Sequence, residues 1–144
     1  MNREILFKAK RIDNGKWVQG DLIHEPYGTV VQYYKDEIED KGNCAKIGSK
    51  KRIKATVDSA TICQYTGLTD ETGEKIYEGD IVAYIDTYST ENGYFESDCV
   101  GEVVWDDEEV CFHVTGRLSA ESWEILQDCG VIGNIFDNPE LLER

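Results

Sequence analysis

The order of apolar and polar positions along this chain is that of short, alternating β-strands. Ile5, Phe7 and Ala9 recur at every second position near the start, the period of a half-buried strand. Asp13-Asn14-Gly15 then provides residues that tolerate positive φ, and an extended pattern resumes from Trp17. Residues 3–23 are therefore predicted to form a β-hairpin. A further strand is predicted over residues 28–34.

The same pattern predicts more strands downstream, over residues 57–65, 76–85, 100–105, 110–115 and 131–136. Gly79 allows a backbone angle that a β-branched residue would not accept, so a bulge or corner is expected there. Residues 119–126 fit either a helix or a strand, and a short helix is favoured. Asn138 followed by Pro139 predicts one last helical turn.

Two segments have few large apolar residues to bury. From Lys35 to Thr56 the large apolar residues are three isoleucines, so the segment is predicted to be a long loop or mobile insertion. Residues 87–98 are polar and are also predicted to be a loop. The acidic run 106–109 is expected to form the solvated tip of a hairpin.

Together these elements predict an all-β fold of mixed sheets with sandwich and SH3-like barrel features. One short C-terminal helical turn completes it. The predicted domains are residues 1–60, an N-terminal β lobe with hairpin 3–23 and a basic loop, and residues 61–144, an acidic SH3-like β lobe. One integrated domain is the alternative, since 144 residues suffice for a single ordinary core.

Charge is divided unevenly between these halves. Residues 1–60 hold twelve Lys/Arg and nine Asp/Glu, a net charge of +3, and residues 61–144 hold three and twenty, a net charge of −17. Such a division is informative about partners and says little about fold. No run of about 18 apolar residues occurs, and the N-terminus lacks a long apolar signal segment. A cytoplasmic protein with no membrane partner is expected.

Five cysteines stand at least twelve positions apart, so neither a zinc knuckle nor a redox dithiol motif is present. Cys63, Cys111 and Cys129 adjoin apolar runs and are predicted to be small, reduced core residues. Cys111 and His113 could begin a metal site, but nothing nearby completes four ligands. No metal and no cofactor is expected.

Candidate chemistry is sparse. Phosphate-binding glycine loops and the nucleophile elbow are absent from the sequence, so no enzyme is predicted. A deep cleft lined by His113, Cys111 and an acidic residue would revive that possibility. The candidate contact surface is formed by four aromatic residues around the polar segment, Tyr84, Tyr88, Tyr94 and Phe95.

A cluster of cations is the second candidate surface, and its members are Lys46, Lys50, Lys51, Arg52 and Lys54. An anion contact, a solvated loop and a contact with the acidic half of a second copy are all compatible with it. No aromatic residue is interleaved with these cations in the sequence. Direct nucleic-acid binding is therefore not expected.

Three stretches resemble the YopX family of bacteriophage and prophage proteins, in the family's order. They are REILFKAKRIDNGKWVQGDLI (residues 3–23), QYTGLTDETGEKIYEGDIV (residues 64–82) and VIGNIFDNPELL (residues 131–142). The resemblance implies a multi-sheet β fold with sandwich and barrel features, encoded in a phage genome. It implies no catalytic residue, because the family has no assigned activity.

Three functional hypotheses remain. A non-enzymatic module that binds a host or phage protein, or a second copy of itself, is favoured. An acidic mimic of nucleic acid that blocks a host DNA-binding protein is the alternative, and it requires carboxylates aligned in a stripe. An enzyme is the third, and the sequence nominates no residues for it.

Overall fold

The computed structural model describes residues 3–41 and 44–143, and for residues 37–41 and 44–48 it describes the backbone alone. Two compact units divide the chain: an N-terminal unit of residues Ile5–Ile62, and a C-terminal unit of residues Cys63–Arg144 with Met1–Glu4. In the described ranges, no helix combines the length and apolarity that crossing a bilayer requires.

The N-terminal unit contains four strands that pair in antiparallel fashion in the order β4-β3-β2-β1. They are β1 (Phe7–Lys10), β2 (Trp17–Glu25), β3 (Gly28–Lys41) and β4 (Cys44–Thr56). A 3₁₀ turn follows at Ser59–Thr61, where the Asp58 carboxylate accepts a hydrogen bond from Ala60 N at 3.0 Å. One face of the sheet carries the core of this unit, which is built on Ala9, Val31 and Val57.

The predicted hairpin over residues 3–23 is confirmed, with Gly15 at φ 69° in the turn between β1 and β2. The prediction of a loop over residues 35–56 is wrong, because β3 and β4 pair along this stretch. In the register of the two strands, Asp36 lies across from Lys50, a pair of opposite charges, and Lys35 lies across from Lys51, a pair of like charges. Such a hairpin satisfies its backbone groups without an apolar face, so the lack of large apolar residues was misleading.

The C-terminal unit contains six strands and one helix. The strands are β5 (Cys63–Thr69), β6 (Lys75–Tyr77), β7 (Asp80–Thr90), β8 (Gly93–Asp106), β9 (Cys111–Val114) and β10 (Gly130–Asn134). Strand β5 pairs with β6, and the others form an antiparallel sheet in the order β10-β7-β8-β9. Helix α1 (Ser122–Gln127) precedes β10, and a 3₁₀ turn (Pro139–Leu142) follows β10.

The core of this unit lies between the four-stranded sheet and α1. Its buried residues are Ile76, Val82, Tyr84, Val103, Val114, Ile125, Leu126 and Cys129. Alternation along β7 and β8 directs every second side chain to this layer, and α1 contributes the adjacent pair Ile125 and Leu126. The prediction of an all-β fold with short helical turns is thereby confirmed.

Other predictions for this unit have mixed outcomes. The short helix within residues 119–126 and the hairpin spanning 100–115 are confirmed. The strand predicted over residues 76–85, with a corner at Gly79, is divided there: β6 ends at Tyr77, Gly79 at φ 85° forms the expected corner, and β7 begins at Asp80. The strand predicted over 57–65 contains one isolated bridge at Val57 and the 3₁₀ turn before β5 begins. The loop predicted over 87–98 is instead the end of the β7–β8 hairpin.

Gly101 is the position where β8 approaches the chain beyond β9 most closely. A Cβ atom built there would lie 2.2 Å from the backbone oxygen of Thr115 and 2.8 Å from Cγ1 of Val114. The Thr115 oxygen belongs to the backbone and cannot rotate away. Glycine is therefore required at position 101 for the sheet to keep this curvature.

We expect Gly101→Ala to reduce the free energy of unfolding by about 1–3 kcal/mol, because the added methyl group must displace backbone. Gly130→Ala is the matched control: its Cβ would find Glu71 Oε1 at 3.7 Å, an ordinary contact. Urea denaturation followed by circular dichroism measures both changes. Equal stability of the two variants would contradict the close approach at Gly101.

Candidate binding groove

A groove of about 490 Å³ opens on the C-terminal unit beside α1 and β9. Its walls come from β5, the tip before β9, β9 itself and α1. The lining residues are Thr66, Leu68, Glu109, Cys111, Phe112, His113, Arg117, Glu121, Ser122, Trp123 and Leu126. We call this surface the Trp123 groove.

Trp123 is the main apolar contact group of the groove. It lies in the first turn of α1, three positions before Leu126, so the two side chains lie on the same side of the helix. Leu126 is buried in the core while Trp123 remains 60% exposed. Leu68 and Phe112 extend the apolar surface, and Phe112 is held edge-on against Trp105 with ring centroids 5.2 Å apart. A large indole left this exposed beside apolar neighbours is typical of a contact site.

A polar contact joins β9 to α1 inside the groove. The Ser122 hydroxyl oxygen accepts a hydrogen bond from Val114 N at 3.1 Å, and it lies 3.3 Å from Nδ1 of His113. Since Ser122 is the first residue of α1, these contacts fix the start of the helix to the strand. His113 is thereby oriented along the groove wall.

Charged groups surround the apolar surface. Arg117 Nη1 lies 3.4 Å from Glu121 Oε2, an ion pair four residues apart in the non-helical segment before α1, at the exposed rim. Glu109 stands at the acidic tip before β9 and has no such cation partner among the ion pairs of the described residues. The rim is therefore acidic overall, with one arginine already engaged by a carboxylate.

The buried carboxylate of Asp86 holds the segment that leads into α1. Its oxygens accept hydrogen bonds from Thr87 N at 2.7 Å, Leu118 N at 2.6 Å and Ala120 N at 3.0 Å. Burial alone would raise the pKa of Asp86, but these backbone N–H groups lower it below its usual value. A residue on β7 thus positions α1, and with it Trp123, through contacts more than thirty residues apart in sequence.

Asp70 fulfils a similar role on the other side of the unit. Its Oδ1 accepts hydrogen bonds from Thr72 N and Glu74 N, both at 2.9 Å, and its Oδ2 accepts one from Val131 N at 3.0 Å. These bonds, led by the one from Val131, lower the pKa of Asp70 to about 2. The carboxylate ties the β5–β6 turn to β10, the strand that follows α1.

The predicted aromatic surface is only partly formed. Tyr84 is 5% exposed and belongs to the core, so its assignment to a contact surface is wrong. Tyr88 and Phe95 stack on each other across the β7–β8 hairpin with centroids 5.5 Å apart, and Tyr94 is exposed beside them. Tyr84 faces inward because strand alternation places it with Val82 and Asp86 on the core side.

The predicted basic cluster is divided between two faces of the N-terminal sheet. Lys50 and Arg52 alternate on one face of β4, whereas Lys51 points to the other. All three are exposed. The side chains of Lys46 and Cys44 lie outside the described residues.

The cysteines behave differently from one another. Cys63 and Cys129 are buried thiols outside any disulfide, as predicted, and burial raises the pKa of Cys129 to about 11. Cys111 is exposed at the groove, so its prediction as a core residue is wrong. The groove does bring Cys111, His113 and Glu109 to one cavity, although within the described ranges no three potential ligands are placed to hold a metal ion.

Sequence reasoning missed the Trp123 groove as a site. The available signal was the position of Trp123 at the start of a short helix whose core contacts are supplied by the adjacent apolar pair Ile125 and Leu126. That arrangement leaves an indole outside the core. The neighbours of Trp123 from β5 and β9 are set by tertiary contacts and have no local signal.

The sequence matches the family model described as YopX protein over residues 6–143. The chain belongs to the YopX family. Among solved structures, this YopX protein is similar to protein EF1440 from Enterococcus faecalis, with 22% identity and a TM-score of 0.55 over 98% of this chain and 99% of that one. That likeness concerns the fold. Among curated proteins, no match was found.

We expect the stability of this YopX protein to fall as the pH drops from about 4 towards 2. A carboxylate whose pKa is lowered in the folded state stabilises the fold above its unfolded pKa, and this contribution is lost on protonation. Asp70→Asn should lower stability at pH 7 by about 1.5–3 kcal/mol and flatten the acid dependence. Thermal unfolding between pH 7 and pH 2 measures both effects, with Asp107→Asn in the exposed tip as the control. An unchanged acid profile in Asp70→Asn would contradict this role.

Proposed function

We propose that this YopX protein is a non-enzymatic binding module whose Trp123 groove takes a basic protein segment carrying an apolar side chain. The observation that carries the proposal is the exposed indole of Trp123 beside Leu68 and Phe112, inside an acidic rim. The apolar part would bury the partner's anchoring side chain. The rim and the surrounding field would select for positive charge.

Charge supports this choice of partner. The C-terminal unit as folded holds four Lys/Arg and twenty-one Asp/Glu, a net charge of −17. Such a field accelerates encounter with cationic segments and repels acidic ones. Glu109 and Glu121 at the groove would then pair with lysine or arginine flanking the anchor.

The contacts inside the groove favour binding over catalysis. The Ser122 hydroxyl lies 3.3 Å from Nδ1 of His113, but in the described part of the chain no carboxylate hydrogen-bonds the other ring nitrogen, as the orienting group of a catalytic serine–histidine pair would. The Ser122 oxygen already accepts the N–H of Val114, which is a structural use of that hydroxyl. The groove therefore resembles a recognition surface in which Ser122 and His113 form the polar part of one wall.

The partner we propose is a host or phage protein met in the bacterial cytoplasm, consistent with a phage origin for the gene. Self-association is the other form of the same proposal. In that case the basic segment would be β4 of a second copy, which presents Lys50, Lys51 and Arg52. Sedimentation of the purified protein distinguishes a monomer from such an assembly.

The decisive probe is a synthetic peptide with two central leucines flanked by three lysines on each side. We expect it to bind with a stoichiometry of one, and Trp123→Ala to weaken binding about tenfold or more, since exposed tryptophans often dominate such contacts. Isothermal titration calorimetry at 100 mM salt measures the affinity. Peptides with serine replacing leucine, or glutamate replacing lysine, should bind more weakly.

Tyr94→Ser provides the matched control, because it removes an exposed aromatic residue from the same unit at the β7–β8 hairpin. We expect its affinity to equal that of the wild type. If Tyr94→Ser abolishes binding and Trp123→Ala does not, the contact surface is the hairpin. If the leucine and serine peptides bind equally, the groove takes no apolar anchor and the proposal fails.

A mimic of nucleic acid remains the second candidate, and one observation favours it. Glu96, Asp98, Glu102 and Asp106 occupy even-numbered positions of β8 and so lie along one face of the strand. Glu96 and Asp98 are two positions apart, about 7 Å, whereas the steps from Asp98 to Glu102 and from Glu102 to Asp106 are four positions, about 13 Å. Such a row on one strand supports the mimic hypothesis, which requires aligned carboxylates.

The mimic hypothesis is tested by displacement of labelled duplex DNA from a purified nucleoid protein. If it is correct, the wild type should displace DNA, and the double variant Glu96→Gln/Asp98→Asn should do so less well. Asp107→Asn/Glu108→Gln removes the same charge from the tip and should have little effect. Failure of the wild type to compete at 100 mM salt would exclude this function for the stripe.

A further inference from the structure

The sheet of the N-terminal unit has a second face, opposite the cluster of Ala9, Val31 and Val57, on which Val30 is buried and Tyr34 is exposed. Directly opposed residues in an antiparallel pair share a face. By this rule Tyr34 lies with Arg52, and Gln32 lies with Lys54, on the side opposite the Ala9 and Val31 core. We call this surface the basic face, and its cations and aromatic residues are Lys8, Lys10, Trp17, Tyr34, Lys50, Arg52 and Lys54.

Tyr34 supplies the aromatic group that the sequence pattern lacked. It is 60% exposed and stands directly across from Arg52. Lys50 and Lys54 flank Arg52 on the same face, each about 7 Å along β4. The premise that no aromatic residue accompanies the cations is therefore wrong, because the partner strand provides one.

The charges around Tyr34 are largely available to a ligand. Among the described residues, no ion pair engages the side chain of Lys50 or Arg52. Lys54 Nζ is paired with Glu25 Oε1 at 2.9 Å, at an exposed position where such a pair is weak. In the strand register Asp36 lies directly opposite Lys50.

A second aromatic group lies towards the other edge of the same face. The ring of Trp17 is covered by two lysines, with Lys8 Nζ at 4.9 Å and Lys10 Nζ at 5.4 Å from its centroid. Among the residues whose side chains the structure describes, this face carries five cations against three carboxylates by register, the latter being Asp21, Glu25 and Asp36. The excess of cations is concentrated on β1 and β4.

We infer that the basic face binds single-stranded nucleic acid, with Tyr34 stacking on a base and Lys50, Arg52 and Lys54 contacting backbone phosphates. An open sheet face suits this ligand for two reasons. An exposed aromatic ring can stack on a base only if that base is unpaired, and regularly spaced cations can contact successive phosphates. An acidic protein would use the cations but leave Tyr34 without a specific role. The inference is independent of the Trp123 groove, which belongs to the other unit.

The overall charge of −14 does not oppose this binding at moderate salt. The Debye length is about 10 Å at 0.1 M salt, so the phosphates experience mainly the charges of the face they touch. At about 0.01 M it reaches roughly 30 Å, and repulsion by the acidic unit then contributes. Affinity should therefore be measured at 50–200 mM salt.

The test uses fluorescence anisotropy with labelled twenty-nucleotide oligo-dT and oligo-U and the full-length protein. We expect binding to the single strands and at least about tenfold weaker binding to a duplex of the same length, since stacking requires unpaired bases. Comparing the two single strands separates DNA from RNA as the ligand. Binding that is equally strong for the duplex would overturn the role of Tyr34.

Charge-matched variants locate the site. Lys50→Gln/Arg52→Gln removes two cations from the basic face, and Lys35→Gln/Lys51→Gln removes two from the opposite face of the same strands. The first should lower the slope of log affinity against log salt by about 1.4, because each phosphate contact contributes about 0.7 for single strands. The second should leave it unchanged. An equal effect of both pairs would overturn the assignment to this face.

The stacking contact has its own pair of variants. Tyr34→Ala should weaken binding about fivefold or more. Tyr27→Ala removes a fully exposed tyrosine of the same unit and should leave binding unchanged. Circular dichroism confirms that both variants are folded. If Tyr34→Ala binds like the wild type, or if poly-glutamate displaces the oligonucleotide at equal charge concentration, the face is a general anion surface and the inference is wrong.

Discussion

Hydrogen bonds from backbone N–H groups to two buried carboxylates fix helix α1 within the C-terminal unit. Asp86 accepts hydrogen bonds from Leu118 N and Ala120 N just before α1, and Asp70 accepts one from Val131 N in β10, just after α1. Because helix α1 has only six residues, it cannot be stable by its own backbone bonds and depends on these two attachments and on Ile125 and Leu126 in the core. The Trp123 groove exists because both ends of α1 are tied to strands.

The second organising feature is the way that paired strands distribute charge. Along β3 and β4 the cations divide between two faces, and along β8 four carboxylates gather on one. Because successive side chains of a strand point to opposite faces, charged residues at every second position gather on one face of the sheet. The same geometry produces the basic face of the N-terminal unit and the acidic stripe of the C-terminal unit. The binding proposals made for this YopX protein rest on these surfaces.

Several elements were predictable because their signals are local. The hairpin around Gly15, the corner at Gly79 and the helical turn after Asn138 depend on a few adjacent residues with restricted backbone angles. The family resemblance likewise rested on contiguous stretches. By contrast, residues 35–56 and 87–98 were predicted as loops because they lack apolar side chains. Strand pairing there is supported by the backbone and by cross-strand contacts, which composition does not report.

Neighbouring residues along the chain were enough to establish its β character, its glycine-dependent corners and the separation of positive from negative charge. Which side chains share a surface follows from strand register and packing. Tyr84 is buried although Tyr88 and Tyr94 are exposed, Tyr34 stands beside Arg52, and Trp123 meets Leu68 and Phe112. The physical reason is that register and packing join residues that are distant in the chain. The position of a side chain across a sheet depends on its partner strand as much as on its own neighbours.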